Sequence, residues 1–238
     1  MIIEDHGIII STKEFEERYL IVQCFLRNNG LLNGLVRISK ASKTDCLLGN
    51  IVEATWSARL REQLGHYKFE LITNIFAATI FDRRSIYFIR AAFAMSMLVL
   101  HEKDKQIELF DNLKLFLLSA IGSNLELFYS TYLSLEFSIL RAGGFGLSLE
   151  KCVVSGEKED LFYISPKSGA AVSKKVGAPY HDKLLLLPEK LLNFKNGFSK
   201  QELVTCLGIT SFFIEKNILS AIGKKMPYER ELMLETLR

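Results

Sequence analysis

The hydrophobic period of this chain changes once, near residue 82, and that change restricts the fold to a β part followed by a helical part. Upstream, the short runs "HGIIIST", "RYLIVQCFL", "LLNGLVRIS", "NIVEATWSARLRE" and "HYKFELITNI" read as strands, with apolar residues at every second position spelled out in the fourth and fifth. In the fourth, Val52, Ala54, Trp56 and Ala58 share one face and Glu53, Thr55, Ser57 and Arg59 the other. "RNNG" supplies hairpin-turn residues between the second and third runs, and Gly34 marks a bulge or tight bend. Five short antiparallel strands in about eighty residues suit a small closed barrel. The OB-fold is the commonest such barrel, and an SH3-like barrel is the alternative.

Downstream the period becomes helical. Asp82 is placed to cap a helix beginning at "RRSIYFIRAAFAMS", and Asn124 to cap "LELFYSTYLSLEFSILRA", which Gly143 and Gly144 stop. Ser199 with Glu202 forms a capping-box pattern ahead of a further helix. Residues 144–180 break into turns and a short strand at "LFYIS". The most apolar window, "SIYFIRAAFAMSMLVL", is interrupted by Arg90 and reads as a buried core helix, so no membrane span is expected.

Motifs for catalysis and metal binding are lacking. There is no strand followed by GxGxxG, and Gly223–Lys224 has Ile218 where a P-loop needs its first glycine. Ser155 and Lys158 match S-x-x-K only within the charged turn "SGEKED". The four histidines are isolated, and His181–Asp182 reads as a surface turn. Cys24, Cys46, Cys152 and Cys206 are scattered with no C-x-x-C, a usage that fits a reducing cytoplasm. Glu136, inside "YLSLEFSIL", reads as a helix carboxylate paired with a nearby Arg or Lys. No catalytic residue, metal or cofactor is expected.

What remains is binding. Net charge is +3, yet residues 1–80 carry nine basic and nine acidic residues, which cancel. The surplus is local: 163–200 holds seven lysines against Asp182 and Glu189. A small barrel binds nucleic acid by pairing phosphate-tracking basic residues with aromatic platforms. The candidates are Arg37, Lys40 and Lys43 in the loop after the third strand, with Trp56, Tyr67 and Phe69 as platforms or as barrel core. Lys167, Lys174 and Lys175, in "YISPKSGAAVSKKVGAPY", are further candidates for backbone contact.

The stretches "DHGIIISTKEFEERYLIVQCFLRNNGLLNGLVR", "GNIVEATWSARLREQLGHYKFEL", "LEFSILRAGGFGLSLEKCVVSG" and "YISPKSGAAVSKKVGAPYHDKLLLLP" resemble the RecO family, bacterial recombination mediators of the RecF pathway. The form is most similar to that of alphaproteobacteria. The resemblance implies an α+β protein: a five-stranded OB-fold barrel over residues 1–80, then a helical domain over 81–238 with a small irregular β appendage around 144–182. It implies binding of single- and double-stranded DNA, strand annealing, and partnership with RecR. It also implies binding of the acidic, apolar-ended tail of single-strand DNA-binding protein, so that recombinase is loaded on coated strands. The setting is the cytoplasm, with the nucleoid. For the tail, Phe137, Leu140 and Arg141 are the candidate pocket and rim, with a buried core position the favoured reading of Phe137 and Leu140. Two departures are visible. The loop after the third strand is thin in arginine, with Asp45 close by, which favours as alternative an adaptor of weak DNA affinity. Where some members hold zinc with four cysteines, only Cys152 remains.

Overall fold

The computed structural model describes residues 1–60, 63–192 and 197–238, apart from the side chains of 40–42. The chain divides into two compact units, Met1–Ser123 and Asn124–Arg238. The compact division therefore falls after three helices that follow the barrel, whereas the change of period falls between the first and second of them.

In the first unit, β1 (Ile2–Phe15), β2 (Tyr19–Leu26), β3 (Gly30–Arg37), β4 (Ile51–Ser57) and β5 (Gly65–Thr73) close into a barrel of order β1-β2-β3-β5-β4. A short helix, α1 (Lys40–Asp45), lies between β3 and β4, and the whole is an OB-fold. Alternation drives it. Ile9, Val22, Cys24, Leu32, Val36, Val52, Ala54, Trp56 and Tyr67 form one buried cluster inside the barrel. A register shift between Ile9 and Ser11 lets consecutive Ile8, Ile9 and Ile10 all be buried. Gly34 proves to be no bulge, because β2 and β3 pair without a break there. Its role is close approach: a Cβ on Gly34 would lie 2.5 Å from the Tyr67 ring. All barrel pairings are antiparallel except β3 with β5, where only Gly34↔Gly65 and Leu35↔His66 pair, in parallel.

The "RNNG" turn is fixed by a carboxylate. Asp5 accepts hydrogen bonds from the Asn28 N–H at 2.8 Å and from the side chains of Asn28 and Asn29 at 3.0 and 2.8 Å. Gly30 follows with φ +71°, the left-handed conformation that glycine adopts at no cost. After β5 come α2 (Ile75–Thr79), α3 (Arg83–Ser96) and α4 (Ile107–Ser119). Asp82 caps α3 as its sequence position predicts, accepting from Arg84 N. α4 is held on the barrel by Phe110, which meets Phe25 edge-on at 5.3 Å, and by Asp111, which binds Arg27.

The second unit is built on α5 (Leu125–Ala142), capped by Asn124. Next comes a three-stranded sheet of β6 (Leu161–Ile164), β7 (Ala171–Ser173) and β8 (Leu185–Leu186), in the order β7-β6-β8. Lysine-rich α6 (Lys174–Gly177) follows β7, and a Cβ on Gly177 would lie 2.4 Å from the Tyr163 ring. α7 (Lys200–Phe213) opens on the Ser199–Glu202 capping box. It continues through a π-turn (Ile214–Leu219) into α8 (Ser220–Ile222), and α9 (Tyr228–Glu235) comes after. The run Lys200–Ile222 is long and apolar enough to span a bilayer by composition, with a mean hydropathy of 1.3. Its Leu203, Cys206, Leu207, Phe213 and Ile214 are instead buried within the unit.

Candidate nucleic-acid interface

The outward positions of the barrel gather a basic and aromatic surface along β2, β3 and β5. Tyr19 faces Arg37 across the β2–β3 pair, and Leu35 faces His66 across the β3–β5 pair. One alternation further along each strand lie Arg37 and Lys68, both exposed. The Tyr19 and His66 rings meet edge-on at 6.5 Å. Beside them runs a groove of about 350 Å³ lined by Arg37, Ser39, Asp45, Tyr67, Lys68 and Phe69, among others. Phe69 is partly buried and stacks on Tyr67 with ring centroids 4.7 Å apart. The groove can offer two cations and one partly open ring, with the Asp45 carboxylate as an opposing charge.

Of the residues expected from sequence, Arg37 lines this groove and Lys43 is exposed on α1. The side chain of Lys40 lies outside the described residues. The stretch 40–45 is helical rather than a free loop. Buried Asn50 holds its end, donating from Nδ2 to the Thr44 carbonyl at 2.9 Å, while Oδ1 accepts from Phe76 N. Trp56 and Tyr67 belong to the barrel core rather than to a stacking surface: they are 1% and 6% exposed. Both are tied inside the barrel, Trp56 Nε1 donating to the Asn33 carbonyl at 3.0 Å and Tyr67 Oη to Leu32 at 3.2 Å. Sequence reasoning missed Tyr19, His66 and Lys68. The signal was present, since they occupy the polar phase of strands whose apolar phase fills the core.

Lys167, Lys174 and Lys175 are exposed in the second unit, the last two opening α6. Lys174 stands with its ammonium 5.1 Å above the Phe162 ring. On α5, Phe137 and Leu140 follow the core reading rather than the pocket reading. Phe137 and Leu140 are 7% and 0% exposed because they fall on the face of α5 that packs inward, so only Arg141 reaches the surface.

Cys152 is the one cysteine at the place where the resemblance puts a zinc set in some members. Burial raises its pKa, but hydrogen bonds from the Ser155 hydroxyl and from the Ser155, Ser173 and Val154 amides outweigh this and lower it to about 6. One thiol held by a serine and main-chain donors does not fit a zinc site, and no cluster of three metal-ligating side chains occurs among the described residues. Burial instead raises Cys46 and Cys206 to about 12, which keeps both neutral.

Two family profiles match the chain. Recombination protein O N terminal covers residues 1–75, and Recombination protein O C terminal covers 81–226. Among similar proteins, the DNA repair protein RecO of Wolbachia pipientis from Culex pipiens is 39% identical, with 97% of each chain aligned. That of Rickettsia canadensis is 36% identical over 91% of this chain and 89% of its own. That of Rickettsia bellii is 34% identical over 99% of this chain and 96% of its own. With both parts matched by the same family and relatives aligned along nearly the full length, the chain belongs to the RecO family of recombination proteins.

Proposed function

We propose that the protein acts in DNA repair and homologous recombination as a non-catalytic mediator, binding single- and double-stranded DNA through the outward face of its barrel. The observation that carries this is the pairing of Arg37 and Lys68 with the stacked Tyr67 and Phe69 rings along one groove of an OB-fold. Arg37, Lys43 and Lys68 would track phosphates, while Phe69 and Tyr19 would meet bases. Lys167, Lys174 and Lys175 would offer phosphate contacts of their own on the second unit. In this reading it anneals complementary strands in the bacterial cytoplasm. With RecR, and by holding the tail of single-strand DNA-binding protein, it helps load recombinase on coated strands. The tail would sit away from Phe137 and Leu140.

A second reading, an adaptor of weak DNA affinity, is favoured by Asp45 inside the groove and by the cancelling charges of residues 1–80. Titration of labelled single-stranded DNA at two salt concentrations separates the two. A mediator binds, weakens steeply with salt, and loses salt dependence in Arg37→Ala/Lys43→Ala/Lys68→Ala. Absence of binding at low salt supports the adaptor. Unchanged binding in the triple variant moves the contact to the lysines of 167–175.

A further inference from the structure

Where β3 parts from β5, the first unit carries a recess of about 190 Å³. Pockets that take drug-sized ligands run to roughly 300–1,000 Å³, so this one has room for a single ring system. Its apolar wall is Leu32, Leu64 and the buried indole of Trp56, and its polar rim is Asn33, Gln63, Glu102 and Lys103. Main-chain contacts set that rim. Leu31 and Glu102 form a parallel bridge, and Lys103 N donates to the Leu31 carbonyl at 3.0 Å. Lys103 is thereby held at φ +61°, a left-handed conformation that lysine rarely adopts, and such constraint collects at ligand sites.

The polar groups suit the edge of a base. Asn33 Nδ2 donates to Glu102 Oε1, which orients the carboxylate but fills only one of its roughly four acceptor positions. Gln63 accepts from Leu60 N through Oε1 at 3.3 Å, leaving Nε2 as a donor. Neither Glu102 nor Lys103 enters an ion pair among the described residues. A carboxylate beside two donors matches guanine, which presents N1–H and N2–H side by side with O6 next to them. Thymine sets a carbonyl on each side of its one N–H. Adenine and cytosine set a ring-nitrogen lone pair beside their amino group. Each of these three turns a lone pair on the carboxylate.

The recess also lies on the path of a bound strand. Asn33, Leu35 and Arg37 share the outward phase of β3, while Leu32 and Val36 face the core. Asn33 is thus about 13 Å from Arg37 along one face, a reach of a few nucleotides.

We infer that this recess takes one unpaired guanine of a single strand lying on the barrel. Glu102 accepts from its N1 and N2, and Lys103 or Gln63 donates to its O6. The inference rests on the DNA reading and adds a base preference to it.

The test is binding of the full chain to labelled oligothymidine of about twelve nucleotides, plain or with one central guanine, hypoxanthine or adenine. Anisotropy gives the affinity, and emission of Trp56, the single tryptophan, reports occupancy of the recess. The guanine strand is expected to bind about fivefold tighter than the other three, as a bidentate base contact provides. It should change Trp56 emission beyond the change made by oligothymidine. Glu102→Gln, which keeps an acceptor for Asn33, should abolish the preference without weakening oligothymidine. Lys103→Gly, unstrained at that φ, should reduce it. No binding of oligothymidine at low salt overturns the DNA reading and this inference together. Binding without a guanine preference, an equal gain from adenine or hypoxanthine, or a preference that survives Glu102→Gln overturns the inference alone. Free guanosine monophosphate binding as tightly as the guanine strand overturns the strand as its source.

Discussion

The Arg230 guanidinium grips the Glu136 carboxylate through two parallel hydrogen bonds, Nε to Oε1 at 2.8 Å and Nη2 to Oε2 at 2.9 Å, with both side chains at most 1% exposed. The Thr210 hydroxyl donates to the same carboxylate, and Arg230 also donates to the Leu207 carbonyl at 3.4 Å. α9 is thereby fastened to α5 and α7 by charge inside an apolar core. Burial alone would lower the pKa of Arg230, and the Glu136 carboxylate more than offsets this, so the guanidinium stays charged.

Breaking this pair from one side leaves a lone charge without water. Arg230→Met or Glu136→Leu should each lower the unfolding free energy by about 3–5 kcal/mol. The double variant Glu136→Leu/Arg230→Met should recover most of that loss, because no buried charge remains. Urea unfolding of the four proteins at equal m-values checks it, and a double variant no better than the singles would contradict the account.

Gly65 lies against the indole. A Cβ there would stand 2.2 Å from Trp56 Cε2 and 2.3 Å from Nε1. Gly65→Ala must therefore push the ring and strain its hydrogen bond to Asn33. The expected cost is about 1–3 kcal/mol. Trp56 is the single tryptophan of the chain, so a shift in intrinsic emission reports the displacement directly.

Arg27 binds Asp111 in a bidentate pair at 2.7 and 2.8 Å, and this hydrogen bond is the chief reason the Asp111 carboxyl titrates below its ordinary range. A depressed carboxylate pKa stabilises the fold fully above the unfolded value of about 3.9, and the contribution is lost as pH falls through the lower folded value. The stability gap between wild type and Arg27→Gln should thus be present at neutral pH and close as pH falls below about 4. Both side chains are more than a third exposed, so the gap should be small and should shrink in salt of about 1 M. Acid titrations followed by circular dichroism at two salt concentrations measure both effects.

Lys68→Ala alone should reduce the salt slope of single-stranded DNA binding by about one, as loss of one phosphate contact does. Phe69→Ala should instead weaken binding about equally at all salt concentrations, by roughly 1–3 kcal/mol if a base stacks there. A slope change in Phe69→Ala, or none in Lys68→Ala, would reverse their assigned roles.

Much of this architecture was legible in the sequence. Val52, Ala54 and Trp56 declared the inside of β4 by alternation alone, and Asp82, Asn124 and Ser199 announced helix starts through hydrogen bonds formed locally. Glu136 was legible as a paired carboxylate, but not its partner, since Arg230 is 94 residues away and only tertiary packing joins them. α1 was missed because its six residues, polar except for Ala41, carry no period, and its end is held by Asn50 from outside the helix. Phe137 and Leu140 stayed open between pocket and core because helical spacing gives a face without saying what covers it. Lys68 was overlooked for a related reason. Its exposure follows from alternation, but its nearness to Arg37 exists only once β3 and β5 meet.

That meeting is short. Two residue pairs join β3 to β5, while β1 and β2 pair along most of their lengths. A cylinder welded so briefly on one side has a preferred line of opening, and amides near Gly34 and Gly65 should exchange with solvent before those of β1. Arg37 and Lys68 stand on opposite lips of that line. Any polyanion gripped by both would act as a clasp, so slowed exchange at Gly34 and Gly65 would register occupancy of the groove even where affinity is weak.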